Sequence, residues 1–147
     1  MRPARPADTG QLVEIDRQAS STPWGGGRLE AALAEAAPGR ERVLVYEGQG
    51  GLCGFLVYSL VLDEASLLYI AVAPRWRGWG AGRALLVAGL DAMRGERARR
   101  CLLEVRESNG PARHLYRALG FNLDGRRKNY YVTAGGREDA LLMSLAL

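Results

Sequence analysis

Ser66-Leu-Leu-Tyr-Ile-Ala-Val-Ala-Pro-Arg-Trp-Arg-Gly-Trp-Gly-Ala-Gly-Arg83 decides how the rest of the chain is read. Its first seven residues form an apolar run with strand character. Beyond Gly80 the pattern turns helical, with Leu85, Leu86, Leu90 and Met93 on one side. The junction between them is rich in glycine and arginine. Glycines at a strand-to-helix junction let backbone N–H groups approach an anion, and the helix N-terminus adds its positive end. Arg75, Arg77 and Arg83 supply fixed charge suited to phosphate oxygens. Two other readings compete with a phosphate cradle. The loop can be a surface turn whose glycines only close the helix entry. It can also be a Rossmann dinucleotide turn, with Glu104 near the place of the ribose-binding acid. That turn is tight and opens a first βαβ unit. Here several antiparallel-looking strands come first, and residues 73–79 make a longer approach.

Working outward, Asp8 and Thr9 are placed to cap a helix carrying Leu12, Val13 and Ile15. Pro23-Trp24 and Gly25-Gly26-Gly27 break the chain, and an Ala-rich helix runs to about Ala37 and stops at Pro38-Gly39. Val43–Tyr46 and Gly54–Leu62 read as a hairpin joined through residues 47–51, and Asp63-Glu64 interrupts before the quoted strand. Downstream come a strand at 101–105, a short helix at 111–119, and two strands about Thr133-Ala134-Gly135-Gly136. This order predicts a single α/β domain over residues 1–147. Its sheet is mixed and mostly antiparallel, flanked by helices, with a parallel pair where the helix after residue 80 crosses.

Composition removes other chemistries. Of 147 residues 48% are apolar and 24% charged, so a folded domain is expected. His114, Cys53 and Cys101 are too few for a Cys/His zinc site or a zinc hydrolase, and no metal is expected. Two distant cysteines make no disulfide framework, which points to a reducing cytoplasm. The polar N-terminus lacks a signal-peptide core, and residues 55–62 are too short to cross a bilayer, so no membrane role is expected. A net charge of +4 is too small to argue for nucleic acid as a direct partner. No Gly-x-Ser-x-Gly elbow supports a serine hydrolase.

The spacing Arg77-x-x-Gly80-x-Gly82 resembles the pyrophosphate loop of GCN5-related N-acetyltransferases. Asn109-x-x-Ala112-x-x-Leu115-Tyr116-x-x-x-Gly120-Phe121 resembles the segment beside the pantetheine end in the same superfamily. Its local physics is consistent: Asn109 caps the helix, Pro111 suits its first turn, Gly120 supplies a left-handed exit, and Ala112, Leu115 and Leu119 form a buried stripe. Asn109, Arg113 and Tyr116 share another face. Val61-Leu-Asp-Glu-Ala-Ser-Leu67, Leu103-Glu-Val-Arg-x-Ser-Asn109 and Arg126-x-x-Asn-Tyr-Tyr131 through Ala140 resemble the RimI family, which acetylates the N-terminal alanine of the eighteenth small-subunit ribosomal protein. The likeness spans nearly the whole chain. It is weakest over residues 25–50, where Gly25-Gly26-Gly27 departs from a more polar family pattern.

That resemblance implies acetyl-CoA as cosubstrate and a ribosomal-protein N-terminus as partner, with a monomer as the simplest state. It implies cofactor contacts from Ile70, Ala71, Val72, Arg77, Gly78, Trp79, Gly80, Ala81, Gly82, Arg83 and Asn109. Glu104 becomes the general base and Tyr116 the general acid. Burial in an apolar strand is expected to raise the Glu104 pKa, the alternative being an ion pair with Arg106 or another arginine. Tyr116 can instead be a core-edge aromatic. Trp24, Asp63, Glu64, Tyr130, Tyr131 and Asp139 are expected on the substrate side. The two tyrosines are expected on opposite strand faces, and the three acids are equally readable as solvated turn charges. His114 falls on the far side of its helix, and Cys101 reads as packing, so direct transfer is expected. A small-amine acetyltransferase and a non-catalytic acyl-CoA-binding module are the competing functions.

Overall fold

Residues 52–58 are buried without a break, because the strand that carries them is covered on both faces. The structure, a computed structural model, describes residues 1–20, 22–33 and 41–147. Its elements are β1 (Arg2–Pro3), α1 (Thr9–Ala19), α2 (Gly26–Leu33), β2 (Glu41–Gly48), β3 (Gly51–Val61), β4 (Glu64–Val72), α3 (Ala81–Gly95), β5 (Arg100–Arg106), α4 (Gly110–Ala118), β6 (Asn122–Thr133) and β7 (Gly136–Ala146). The order matches the one read from the sequence. The strands form one seven-stranded sheet, β1-β2-β3-β4-β5-β7-β6, antiparallel throughout except for the β4–β5 pair. That pair is parallel because α3 carries the chain back across the sheet between the two strands.

Period-two alternation along β3 divides the core. Phe55 and Val57 meet Leu12, Ile15, Leu29 and Leu33 of α1 and α2, while Leu56 and Tyr58 meet Leu85, Leu86 and Met93 of α3 on the other face. The α3 stripe of Leu85, Leu86, Leu90 and Met93 is buried as its spacing predicts. Each such side chain contributes about 1.5–3 kcal/mol of gross burial energy.

Several local expectations need correction. The Asp8 carboxylate does not cap α1; it accepts from the Arg5 N–H at 2.7 Å and pairs with Arg2 at 2.9 Å. Only Gly25 breaks the chain, at φ 110°, while Gly26 and Gly27 open α2. The expected stop at Pro38-Gly39 lies outside the described residues. The first hairpin has longer strands and a tight turn at Gln49-Gly50. In α4 the buried residue is Tyr116; Ala112, Leu115 and Leu119 are only partly buried against the same core.

The sheet splits at its parallel pair. β4 and β5 pair from Glu64↔Arg100 to Leu67↔Leu103 and no further. There β4 carries a bulge, for its β3 partners step from Tyr58↔Leu67 to Val57↔Tyr69 and leave Leu68 unmatched. A bulge bends its strand. Beyond it β4 follows β3 as far as Val72↔Gly54, whereas β5 follows β7 as far as Arg106↔Ala140. The two strands diverge around an opening.

Candidate active site

The opening is a cleft of about 1130 Å³. Its floor is backbone. Past Leu67 the open side of β4 has no ladder partner on β5, so its N–H and C=O groups are available to an extended, amide-bearing ligand. Ile70, Ala71 and Val72 line this stretch. Arg77 and Gly82 continue the wall. Gly78 and Gly80 both hold left-handed backbone, φ 80° and 79°, which only glycine adopts cheaply. Gly80 caps α3 without any side-chain bond, leaving the first N–H groups of that helix, from Ala81, Gly82 and Arg83, for an anion. A Cβ on Gly82 would lie 3.8 Å from both Val72 and Leu115, so its absence keeps the floor between β4 and α4 open. Trp79 stands 80% exposed on this loop. Arg77 also donates to the Ala19 carbonyl at 2.7 Å, tying the loop to the end of α1.

Two titratable side chains, Glu104 and Tyr116, line the far wall. Tyr116 is buried, packs on Phe121 at 5.7 Å, and its hydroxyl has no hydrogen-bond partner among the described residues. Burial, then its proximity to Cys101 and Tyr131, pushes the phenol up to about 12, so it keeps its proton at neutral pH. Glu104 alternates with buried Leu103 and Val105 and is exposed, not buried. Its side chain is 33% accessible, and its carboxylate lies 3.4 Å from the Arg127 guanidinium. The burial expected of this carboxylate is not found, because the strand's other face carries the apolar residues. Asn109 caps α4 through the Ala112 N–H at 3.2 Å and lines the cleft. His114 is exposed and Cys101 fully buried, its thiol pushed up to about 11 by burial.

The remaining wall comes from distant parts of the chain. Trp24 is buried and stacks on Tyr69 at 6.4 Å, with Arg28 over its ring at 4.2 Å. Opposite, Arg106 lies over the Tyr131 ring at 4.3 Å and pairs with Glu138 at 3.0 Å. Hydrogen bonds from Ser108 and Arg106 hold the Glu138 carboxyl below its ordinary range. Tyr131 lines the cleft, and Tyr130 does not. A bulge between Arg127 and Tyr131, with Asn129 at φ 53°, upsets strict alternation and sets the two rings edge to face at 5.1 Å rather than on opposite faces. Asp139 accepts from Asn129 N–H and Arg126, both at 2.9 Å, and so braces that bulge instead of lining the cleft. Asp63 and Glu64 are not brought to the site. They border a separate depression of about 450 Å³ with Arg99 and Arg100, at the opposite end of β4 and roughly 20 Å of strand from Ile70. Tyr69 and Arg106 line the cleft without having been expected there, and Glu138 lines it from within the tail 126–139, which the sequence reads as the substrate rim. Tyr69 lies within the quoted strand, where its residue type was the available signal.

The acetyltransferase (GNAT) family profile matches residues 10–121. The chain belongs to this family. This GNAT chain is 38% identical over 142 residues to the [ribosomal protein bS18]-alanine N-acetyltransferase of Escherichia coli strain K12, covering 95% of the chain and 92% of that protein. It is 39% identical over 141 residues to the enzyme of the same name from Haemophilus influenzae, covering 95% and 93%. The crystal structure of the ribosomal-protein-S18-alanine N-acetyltransferase from Escherichia coli superimposes with a TM-score of 0.89 at 35% identity, over 98% of this chain and 90% of that one. The RimI resemblance and the GNAT fold read from the sequence are thus borne out.

Proposed function

We propose that this GNAT chain transfers the acetyl group of acetyl-CoA directly to the N-terminal alanine amine of ribosomal protein bS18, in the cytoplasm. The observation that carries the reading is the split at Leu68, which bares the β4 backbone beside the glycine loop and sets Glu104 and Tyr116 at its far wall. Unpaired strand amides suit the two amides of pantetheine, and the uncapped α3 N-terminus with its left-handed glycines suits a pyrophosphate. Bound there, acetyl-CoA supplies the thioester that is attacked.

The chain's own groups supply the rest. A β4 backbone N–H donates to the thioester oxygen. Glu104, exposed to water, takes the proton of the incoming ammonium directly or through one water. Tyr116 gives its proton to the departing sulfur. Trp24, Tyr69 and Tyr131 form the acceptor wall.

A peptide α-amine has a pKa of about 7.7–8.0 against about 10.4 for lysine, so freeing lysine near neutral pH costs roughly 3–4 kcal/mol more. An exposed carboxylate manages the former far more readily. Mass spectrometry of ribosomal proteins incubated with enzyme and acetyl-CoA tests the assignment: a single acetyl group on the bS18 N-terminus is expected. An unmodified bS18 beside rapid acetylation of free polyamines would make this a small-amine enzyme. Equal rates on N-terminally blocked, lysine-containing peptides would remove the α-amine preference.

A further inference from the structure

We propose that Asp16 is a positioning residue for the acceptor, a buried carboxylate that clamps the Trp24–Gly25 turn onto Tyr69 and so sets the width of the acceptor end of the cleft. The inference rests on the acceptor assignment above. Asp16 is 2% exposed on α1, a depth at which an acid needs full hydrogen bonding. Its partners all belong to one wall. Oδ1 accepts from the Trp24 N–H and Oδ2 from the Gly25 N–H, each at 2.9 Å, and the Tyr69 phenol lies beside the same carboxylate, its pKa raised by burial and by that neighbour. Trp24 and Tyr69 are stacked on each other and both line the cleft, while Asp16 does not.

The clamp joins segments that would otherwise be independent. Gly25 turns at φ 110° into α2, whereas Tyr69 stands directly after the Leu68 bulge on β4. One carboxylate therefore links the helical wall to the strand at the point where the sheet opens. Asparagine at this position keeps one acceptor oxygen but turns an NH2 group toward an N–H donor. The Trp24–Gly25 turn must then move off Tyr69, widening the cleft where the first acceptor side chain sits.

Steady-state kinetics of D16N and Y69F test this with alanyl peptides and with matched peptides beginning with leucine. Loss of a hydrogen bond to a charged group predicts a KM for the alanyl peptide raised about 10- to 100-fold in D16N. Acetyl-CoA affinity by calorimetry should stay within about twofold, and the preference for alanine over leucine should narrow. Y69F removes the hydroxyl beside Asp16 and keeps the ring, so a smaller KM rise in the same direction is expected, and the double variant should be less than additive. If D16N does not fold, Y69F and its alanine-to-leucine ratio decide alone. Unchanged KM and unchanged selectivity in the folded variants, or losses shared equally by acetyl-CoA binding, would overturn the proposal. A wild-type protein inert toward alanyl peptides would instead overturn the acceptor assignment on which it rests.

Discussion

The two sides of the cleft are built from different material. The β4 and glycine-loop side is backbone: unpaired strand amides, two left-handed glycines and an uncapped helix N-terminus. The side proposed for the acceptor is side chain: Trp24 on Tyr69, Arg106 on Tyr131, and Glu138 holding Arg106. A backbone site tolerates many side chains but few changes at its glycines, so its spacing is readable in a short stretch. A side-chain site depends on partners from four distant segments, and no local spacing betrays it. Substitutions on the first side should therefore act on cofactor affinity, and those on the second on the acceptor, with Glu104 and Tyr116 affecting turnover.

The largest effect should come from Tyr116. Y116F keeps the ring against Phe121 and removes the proton donor, so kcat should fall by about 10²–10⁴-fold with acetyl-CoA affinity retained. The phenol is held up to about 12, so wild type keeps its donor at all working pH values, and alkaline conditions should not rescue the variant. Rapid-quench and steady-state rates at two pH values check this. Near wild-type turnover would make Tyr116 a packing residue.

E104Q should lose less, about 10²-fold, because its exposed carboxylate shares the task with water. Its activity should recover partly as pH rises toward the α-amine pKa of about 8. The exposed pair with Arg127 contributes little to stability, about 0–1 kcal/mol, so the melting temperature should barely change. A pH–rate profile parallel to wild type would remove Glu104 as base.

The contrast between backbone and side chain also explains what was legible. The element order, the parallel pair and the α3 stripe follow from periodicity and glycine punctuation, which are local. Glu104 and Tyr116 are singled out through resemblance: the burial expected of Glu104 belongs to the other face of β5 and the alternative arginine pair is met by Arg127, while Tyr116 itself forms the core side of α4. Asp63 and Glu64 adjoin a motif-bearing strand and read equally as substrate-side acids and as solvated turn charges. They stand at its wrong end, a distance that only the register with Arg100 reveals. Asp139 carries the same two readings, and its partners Arg126 and Asn129 meet it across a bulge that no local spacing announces.

The glycines separate affinity from stability. G82V adds a side chain where a Cβ already contacts Val72 and Leu115, at ordinary backbone angles, so acetyl-CoA affinity should fall about 10-fold with a small change in melting temperature. G80V places a β-branched residue at φ 79°, which costs about 1–2 kcal/mol, so it should lose affinity and also melt several degrees lower. Calorimetry and thermal melts distinguish the two. Identical behaviour would mean that the loop acts only through its fold.

The smallest predicted effect concerns the foundation of the acceptor wall. α1, which carries Asp16, begins beside Asp8, whose carboxylate is fixed by Arg2 and by the Arg5 N–H. The Arg2 hydrogen bonds, working against the cost of burial, hold the Asp8 carboxyl down at about 2, below its ordinary 3.8. A lowered native pKa means that the unfolded chain binds the proton first as pH falls. The contribution is therefore whole above about pH 4 and fades as pH drops through about 2. Arg2 is partly accessible and is shared with Glu47, so solvent screening reduces the contribution to about 1 kcal/mol. D8N should accordingly lower the melting temperature by about 2–4 °C at neutral pH, and the gap from wild type should close toward pH 2. Melts across that range give the answer. A gap that stays constant down to pH 2 would mean that the N-terminal clasp stabilises α1 through packing rather than through the charge on Asp8.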